Sequence, residues 1–227
     1  MNDFDRIAEF YGELFASDGK VWAKELVKTL KKYCNKPFGI DVGSGTGYFT
    51  RAILNAGYNV IGVEPSLAML NVAMQEGGTY VKGDIRKLNG FSSLGFVTAV
   101  NDVINYLKPS DLEKAFLSVN ACLENGGVFI FDYSSKSRLE NVIGENLFGE
   151  DTEDFTYMWF NTQKANGVKM DLVFFIKNQD GTYDREEESF FEYFHELETV
   201  KELLIKTGFK LLEVIDGDRI QIVAQKI

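Results

Sequence analysis

The chain has 227 residues, a net charge of −10 at pH 7 and 45% hydrophobic residues. This length and apolar content are enough for one α/β domain with a full core. The acidic balance disfavours a nucleic-acid partner, because phosphate binding relies on clustered lysine and arginine. Since a charged, apolar leader and a run of about 18 apolar residues are both missing, we expect a cytoplasmic protein with no membrane association.

The two cysteines, Cys34 and Cys122, lie far apart in the sequence and fit no metal-ligand spacing. In a reducing compartment such residues remain thiols. We therefore expect no disulfide and no structural metal.

The first 35 residues carry apolar side chains at helical intervals, in the segments 3–15 and 20–33. Such spacing is typical of helices with one buried face. The sequence therefore predicts two N-terminal helices in residues 1–35, lying beside the site described next.

A glycine-rich loop follows a buried strand and precedes a helix, with glycines at Gly43, Gly45 and Gly47. Glycine accepts the backbone angles of a tight strand-to-helix turn and lets a ligand approach the backbone. The loop lacks the lysine of a nucleoside-triphosphate loop. Tyr48 stands where the dinucleotide fingerprint requires a third glycine, which disfavours NAD and FAD.

Acidic residues end the next two predicted strands. Residues 58–63 read as a strand that ends in Glu64, about 20 residues past the loop, where a carboxylate can accept hydrogen bonds from ribose hydroxyls. Ser66 is placed to cap the following helix. Residues 79–82 read as a third strand, followed by Asp84. Two later strand regions follow: 96–107, a strand with the loop after it, and 123–132, a helix stop and a glycine turn with a strand.

The C-terminal third departs from simple βα alternation. Asn-Gly and Asp-Gly turns separate three strand-like tracts at 155–164, 168–178 and 182–195. We interpret residues 151–196 as an inserted antiparallel subdomain of three strands that forms a lid over the substrate. A final hairpin, 209–215 and 219–226, completes the main sheet.

Together, the Asp-x-Gly-x-Gly-x-Gly loop, Glu64, Asp84-Ile85 and the two later strand regions resemble class I S-adenosylmethionine (SAM) dependent methyltransferases. The resemblance covers residues 38–133 well. It implies a single domain, 1–227, with a Rossmann-like α/β fold: a seven-stranded, mostly parallel sheet with helices on both faces, plus the antiparallel lid. It also implies SAM-dependent methyl transfer to a small-molecule amine or hydroxyl. A SAM-binding regulatory protein without turnover, and an NAD-linked oxidoreductase, stay open as alternatives.

The resemblance carries a set of cofactor-binding residues onto this chain. Gly43, Gly45 and Glu64 would form the loop and the ribose acceptor, Asp84 and Ile85 would contact adenine, and Asn101 would offer its carbonyl to the methionine ammonium. The complete implied set is Tyr11, Trp22, Asp41, Gly43, Ser44, Gly45, Glu64, Pro65, Met69, Asp84, Ile85 and Asn101.

Methyl transfer from a sulfonium needs alignment and exclusion of water more than it needs a catalytic side chain. A hydroxyl or a protonated amine would still require a base. His195, the sole histidine, is the first candidate because its unperturbed pKa lies near neutrality. Tyr106, Tyr133 and Tyr193 are further candidates near the mouth of the site. A homodimer through the inserted subdomain is an open expectation.

Overall fold

The computed structural model of the protein describes Ala8, Phe10 and residues 16–227. Eleven strands occur in this part of the chain: β1 Phe38–Val42, β2 Asn59–Glu64, β3 Tyr80–Lys82, β4 Leu94–Ala99, β5 Leu123–Ser134, β6 Leu147–Asp151, β7 Phe155–Lys164, β8 Gly167–Lys177, β9 Tyr183–Tyr193, β10 Phe209–Ile215 and β11 Arg219–Lys226. The main helices are α1 Ala16–Tyr33, α2 Tyr48–Asn55, α3 Leu67–Gln75, α4 Leu112–Cys122 and α5 Leu197–Lys206. Short helical turns lie at Pro109–Asp111, Lys136–Arg138 and Leu139–Ile143.

Seven strands form the main sheet in the order β10-β11-β5-β4-β1-β2-β3. Only β11 runs against its neighbours, because it pairs antiparallel with both β5 and β10 while the remaining pairs are parallel. The predicted seven-stranded, mostly parallel sheet is confirmed.

Both faces of this sheet are buried under helices. Alternate residues of β5 point to opposite faces, as a strand requires. Phe129 and Phe131 pack in a cluster with residues of α4 and α5, and Ile130 packs in a second cluster with residues of α1 and α2. The apolar run in β5 therefore reflects burial on two sides, which is typical of parallel sheets.

The strand order reverses beside β1. The chain runs from β1 outward to β2 and β3, then crosses back to place β4 on the other side of β1. Open α/β sheets bind ligands in the crevice that such a reversal leaves at the carboxyl ends of the strands. The fold thus places a candidate site above β1 and β4.

The insert is an antiparallel sheet, as predicted, but it has four strands in the order β6-β7-β8-β9 rather than three. The additional strand, Leu147–Asp151, is exposed along its whole length. Its sequence lacks the apolar alternation that marks a half-buried strand, so the pattern gave no signal for it.

One face of the insert has its own apolar core, which includes Phe155, Met170, Phe174 and Phe190. Phe10 joins this core, with ring centroids 4.9 Å from Phe155 and 6.5 Å from Phe174. Phe10, near the start of the chain, therefore packs against the insert.

The predicted helix at 20–33 begins earlier than expected, at Ala16. Most of the predicted helix at 3–15 lies outside the described residues, as does Tyr11. No helix in the described ranges is long and apolar enough to cross a membrane. Cys34 and Cys122 are buried free thiols, and burial raises the pKa of both.

Candidate active site

A cavity of about 340 Å³ opens at the carboxyl ends of β1 to β4. Its size falls in the range of small-molecule pockets. Its wall combines the glycine loop, the ends of β2 and β3, and the loop that follows β4. The lining residues are Val42, Gly43, Ser44, Gly45, Thr46, Tyr48, Phe49, Glu64, Pro65, Met69, Asp84, Ile85, Arg86, Val100, Asn101, Val103, Tyr106 and Leu107.

The glycine loop has a backbone that other residues adopt only with strain. Gly43, Gly45 and Gly47 have φ values of 68°, 52° and 82°. A Cβ at Gly43 would also lie 2.4 Å from a methyl of Val103. The N–H of Gly43 donates to the Val63 carbonyl at 2.8 Å, which fixes the loop against the end of β2. Glycine is therefore required here by chain geometry and by close packing.

Glu64 ends β2 and is only 6% exposed. Its carboxylate accepts the N–H of Gly45 at 3.0 Å and the N–H of Ser66 at 2.9 Å. Ser66 caps α3 as predicted, accepting from the N–H of Met69 at 3.1 Å. Glu64 thus joins the glycine loop to the start of α3 and lies on the cavity wall.

Asp84 follows β3 and lies on the same wall. Its carboxylate accepts the backbone N–H of Arg86 at 2.8 Å and also pairs with the guanidinium, which in turn reaches Asp111 at 3.0 Å. These hydrogen bonds from Arg86 hold the pKa of Asp84 below its ordinary value. Asp84 is therefore an ionised hydrogen-bond acceptor beside the buried Ile85.

The loop after β4 contains two consecutive non-glycine residues in the left-handed region, Asn101 at φ 66° and Asp102 at φ 69°. Such backbone persists only where its surroundings hold it. Asp132 Oδ1 accepts both backbone N–H groups, at 2.8 and 3.1 Å. Asp132 thereby sets the position of Asn101 on the cavity wall.

An arginine whose side chain is only 12% exposed completes this network. Arg219 on β11 donates to Asp132 at 2.8 Å and to Asp102 at 2.7 Å. Its guanidinium also lies over the ring of Trp22, 5.0 Å from the centroid. Burial raises the pKa of Asp132 to about 6 despite the charge of Arg219. Arg219 and Asp102 could not be predicted as site residues, because nothing local in the sequence marks two residues that meet across 117 positions.

Two predicted cofactor residues do not line the cavity. Asp41 is 1% exposed and accepts hydroxyl hydrogen bonds from Thr50 and Thr98, each at 2.7 Å. Burial raises its pKa to about 6. Trp22 instead packs on Arg219. The other described members of the predicted set all line the cavity: Gly43, Ser44, Gly45, Glu64, Pro65, Met69, Asp84, Ile85 and Asn101.

Of the four candidate catalytic residues, only Tyr106 lines the cavity. His195 is 4% exposed and its Nε2 lies 3.0 Å from the Ile104 carbonyl; burial lowers its pKa. Tyr133 is fully buried in the main core, with its ring edge-on to His195. Tyr193 contacts Asn105 through its backbone, and its ring packs against Phe191. His195 and Tyr193 thus contact the loop that follows β4, whereas Tyr133 belongs to the main core.

Tyr106 connects the cavity to the insert. Its hydroxyl donates to Glu192 Oε1 at 3.2 Å, and its ring lies edge-on to Phe190 with centroids 5.8 Å apart. Both partners belong to β9. No residue of the insert is among the lining residues found in the described chain, so the insert reaches the cavity wall through Tyr106. Glu192, 5% exposed, was also missed from the sequence.

The cavity fits an adenosyl ligand. Acidic acceptors stand at the ends of two adjacent strands, and Met69, Ile85 and Leu107 supply apolar wall. Ser44 Oγ is buried and has no hydrogen-bond partner within the described protein. An orphaned polar atom of this kind marks a place where a ligand can supply the missing partner. Geometry and chemistry together define an α/β protein that binds a nucleoside-like group at its sheet reversal.

Comparison with known proteins also points to a protein that binds an adenosyl group. A family model described as a methyltransferase domain matches residues 40–127. A relative from Geobacillus sp. (strain WCH70), provisionally named a methyltransferase, is 27% identical over 223 residues, covering 93% of this chain and 90% of its own.

Solved structures extend the match. The crystal structure of a SAM-dependent methyltransferase from Clostridium acetobutylicum ATCC 824 has a TM-score of 0.85 and 26% identity, covering 98% of each chain. The sugar N-methyltransferase KedS8 from Streptoalloteichus sp. ATCC 53650 has a TM-score of 0.78 at 16% identity, covering 96% of this chain and 90% of its own, and shares the fold. In sequence and in fold, the chain matches class I SAM-dependent methyltransferases.

Proposed function

We propose that the protein transfers the methyl group of SAM to an amine or hydroxyl of a small molecule that enters beside Tyr106. The observation that carries this proposal is the shared wall: one cavity runs along the glycine loop, Glu64 and Asp84, and also includes Tyr106, whose hydroxyl and ring contact the insert. The cavity therefore has a cofactor end, at the glycine loop, Glu64 and Asp84, and an acceptor end, beside Tyr106.

The cofactor end is assigned residue by residue. Glu64 would accept the ribose hydroxyls and Asp84 the adenine amino group. Ile85 would offer its N–H to the adenine ring, and Asn101 its carbonyl to the methionine ammonium. The left-handed backbone of Asn101, held by Asp132, supports the last assignment because it fixes the direction of that peptide.

When bound, SAM supplies a methyl group on a cationic sulfur, which leaves as a neutral thioether when the acceptor displaces it in line. The residues of the protein align the acceptor and exclude water. Tyr48, Phe49, Val103 and Leu107 supply apolar wall for this purpose. A general base is needed only where the acceptor atom arrives protonated.

The acceptor class is supported by the cavity wall around Tyr106. Tyr106 packs against the aromatic and aliphatic cluster of the insert, and Val103 and Leu107 line the cavity with it. Such a wall suits a small, partly apolar molecule. The name of KedS8, a protein of the same fold, indicates that this architecture accommodates sugar amines.

The experiment is methyl transfer from labelled SAM in the presence of a cell extract separated into an ultrafiltrate and a macromolecular fraction. We expect label in ultrafiltrate compounds, and mass spectrometry of those compounds identifies the acceptor. Label that precipitates with RNA or protein would contradict a small-molecule acceptor. The Glu64→Ala variant serves as the control for transfer that depends on the cavity.

We also propose a homodimer that forms through the insert. Leu147, Met158 and Phe160 share the outward face of β6 and β7 and are 58%, 37% and 40% exposed. The strand β6 is also a sheet edge, whose unpaired backbone groups can pair with a second copy. Sedimentation equilibrium should give a dimer for the wild type and a monomer for Phe160→Glu. A monomeric wild type contradicts the proposal.

A further inference from the structure

Glu192 is a carboxyl group buried in an apolar surface. It lies on the inner face of β9 opposite Val168, with Phe190 two residues away on the same face. Only Oε1 has a hydrogen-bond partner in the described chain, the hydroxyl of Tyr106; Oε2 is buried without one. Burying a carboxyl with half of its capacity unsatisfied destabilises a protein. Such a group therefore calls for a functional explanation.

Tyr106 gives Glu192 access to the cavity. When Glu192 is ionised, the phenol donates its single proton to the carboxylate, and the phenol oxygen then acts only as an acceptor toward a molecule in the cavity. A group that binds there through this oxygen must carry an N–H or O–H donor. The pair therefore favours a methyl acceptor that carries an N–H or O–H hydrogen-bond donor.

The charged groups around Glu192 are of both signs. Asp102, on the loop after β4, raises the pKa of Glu192, whereas Arg219 on β11 and Arg138 in the helical turn after β5 lower it. The Tyr106 hydroxyl also lowers it. Burial outweighs these and places the pKa of Glu192 at about 8. The carboxyl therefore titrates about 2 pH units below an alkylammonium.

We propose that Tyr106 and Glu192 form an amine-recognition pair, in which Tyr106 contacts the acceptor nitrogen and Glu192, acting through Tyr106, takes up its proton. This inference rests on the proposed function and narrows the acceptor from amine or hydroxyl to amine. The proton leaves the ammonium nitrogen for Tyr106 Oη as the phenol proton moves to Glu192 Oε1. An ammonium and a carboxylate thus become a neutral amine and a carboxylic acid, and Tyr106 is unchanged.

The proton balance favours an amine over an alcohol. An alkylammonium has a pKa of about 10, only about 2 pH units above Glu192. A hydroxyl near the value of bulk water, about 15.7, lies roughly 8 units above, so its deprotonated fraction would be about a million times smaller. Glu192 is matched to the first acceptor and far from the second. Glu192 is thus a positioning residue that sets which nucleophile can react.

The test is an infrared titration of the protein loaded with S-adenosylhomocysteine, from pH 6 to pH 10. We expect a carboxylic-acid carbonyl band that disappears with a midpoint near pH 8. Glu192→Gln should lack it, and Tyr106→Phe should raise its midpoint because the carboxylate loses a hydrogen-bond donor. Glu187→Gln, an exposed change on the outward face of the same strand, is the matched control and should keep the band unchanged.

Cyclohexylamine and cyclohexanol then test the amine specificity. The ammonium should lower the midpoint by about one pH unit or more, as a nearby opposite charge does, and the alcohol should leave it in place. Equal effects of the two probes, no effect of either, or no band that Glu192→Gln removes would overturn the inference. Calorimetric titration of the same samples with S-adenosylhomocysteine distinguishes failure of this inference from failure of the proposed function. Absence of binding to the wild-type protein would contradict the proposed function itself.

Discussion

The two ends of the cavity are built differently. At the cofactor end, the glycine loop, Glu64, Asp84 and Ile85 come from consecutive βα units, and their contacts are mostly with near neighbours in sequence. At the acceptor end, Tyr106 meets Glu192 across 86 positions. The geometry of the cofactor end depends on short sequence motifs, whereas the acceptor end is formed by tertiary contacts between distant segments. The cofactor end therefore reveals a class of chemistry, and the acceptor end determines the individual reaction.

Arg219 lies behind the loop that joins the two ends, and its removal should have the largest effect. Arg219→Ala leaves Asp102 and Asp132 buried without a cation, which should lower the free energy of unfolding by about 3–5 kcal/mol. Urea unfolding measures this loss. Arg185→Ala, which removes an exposed ion pair with Glu187, is the control and should cost at most about 1 kcal/mol. Equal losses in the two variants would show that the buried network does not hold the loop.

Gly43→Ala tests the packing of the glycine loop. The variant combines an unfavourable φ with a methyl group that would lie 2.4 Å from Val103, so we expect a loss of about 2–5 kcal/mol and no measurable SAM binding. Gly57→Ala is matched, because its φ is 94° and nothing lies within 4 Å of the added methyl. That control should lose about 1–2 kcal/mol and bind SAM normally. If both variants bind SAM alike, close packing at Gly43 is not required.

Glu64→Ala removes a charged acceptor from the cavity wall. Loss of hydrogen bonds to a charged group should weaken SAM binding by about 1.5–3 kcal/mol, or roughly 10- to 150-fold. Isothermal titration with SAM and with S-adenosylhomocysteine measures it. Glu76→Ala, at the exposed end of α3, should leave affinity unchanged. Unchanged affinity in Glu64→Ala would remove Glu64 from the ribose site.

The sequence predicted those parts of the molecule whose physical cause is local. Positive φ at Gly43 and Gly47 requires glycine, and Ser66 caps α3 with an atom three residues from its partner. The central strands β1, β4 and β5 carry apolar runs because both of their faces are buried. Glu64 and Asp84 followed from their places at predicted strand ends and, for Asp84, from the family resemblance, and both line the cavity.

The missed features depend on contacts between distant segments. The exposed strand β6 forms only because β7 offers it a pairing edge, so its sequence carries no apolar alternation. His195 was the first candidate for a general base, yet its Nε2 lies within hydrogen-bond distance of the Ile104 carbonyl and its ring does not line the cavity. Glu192 lies in a strand that carries four other acidic residues, none of them buried, and only the burial of its side chain distinguishes it.

Asp41 offers the smallest expected effect on binding and the clearest pH dependence. Because burial raises its pKa from 3.8 to about 6, the folded protein holds this proton more tightly than the unfolded chain does. Stability should therefore fall as pH rises from about 4 to about 6, by about 3 kcal/mol for this group. Asp41→Asn should remove that slope, whereas Asp154→Asn, on an exposed residue, should retain it.

The same variant decides how far the cofactor end extends. Since Asp41 is enclosed by Thr50 and Thr98 and does not line the cavity, Asp41→Asn should change SAM affinity by less than about threefold, well below the loss expected for Glu64→Ala. Calorimetry at pH 7.5 compares the two. A loss as large as that of Glu64→Ala would mean that the Asp41 carboxylate acts on the ligand through water or through the loop it supports. The carboxylate would then belong to the cofactor end despite its burial in the core.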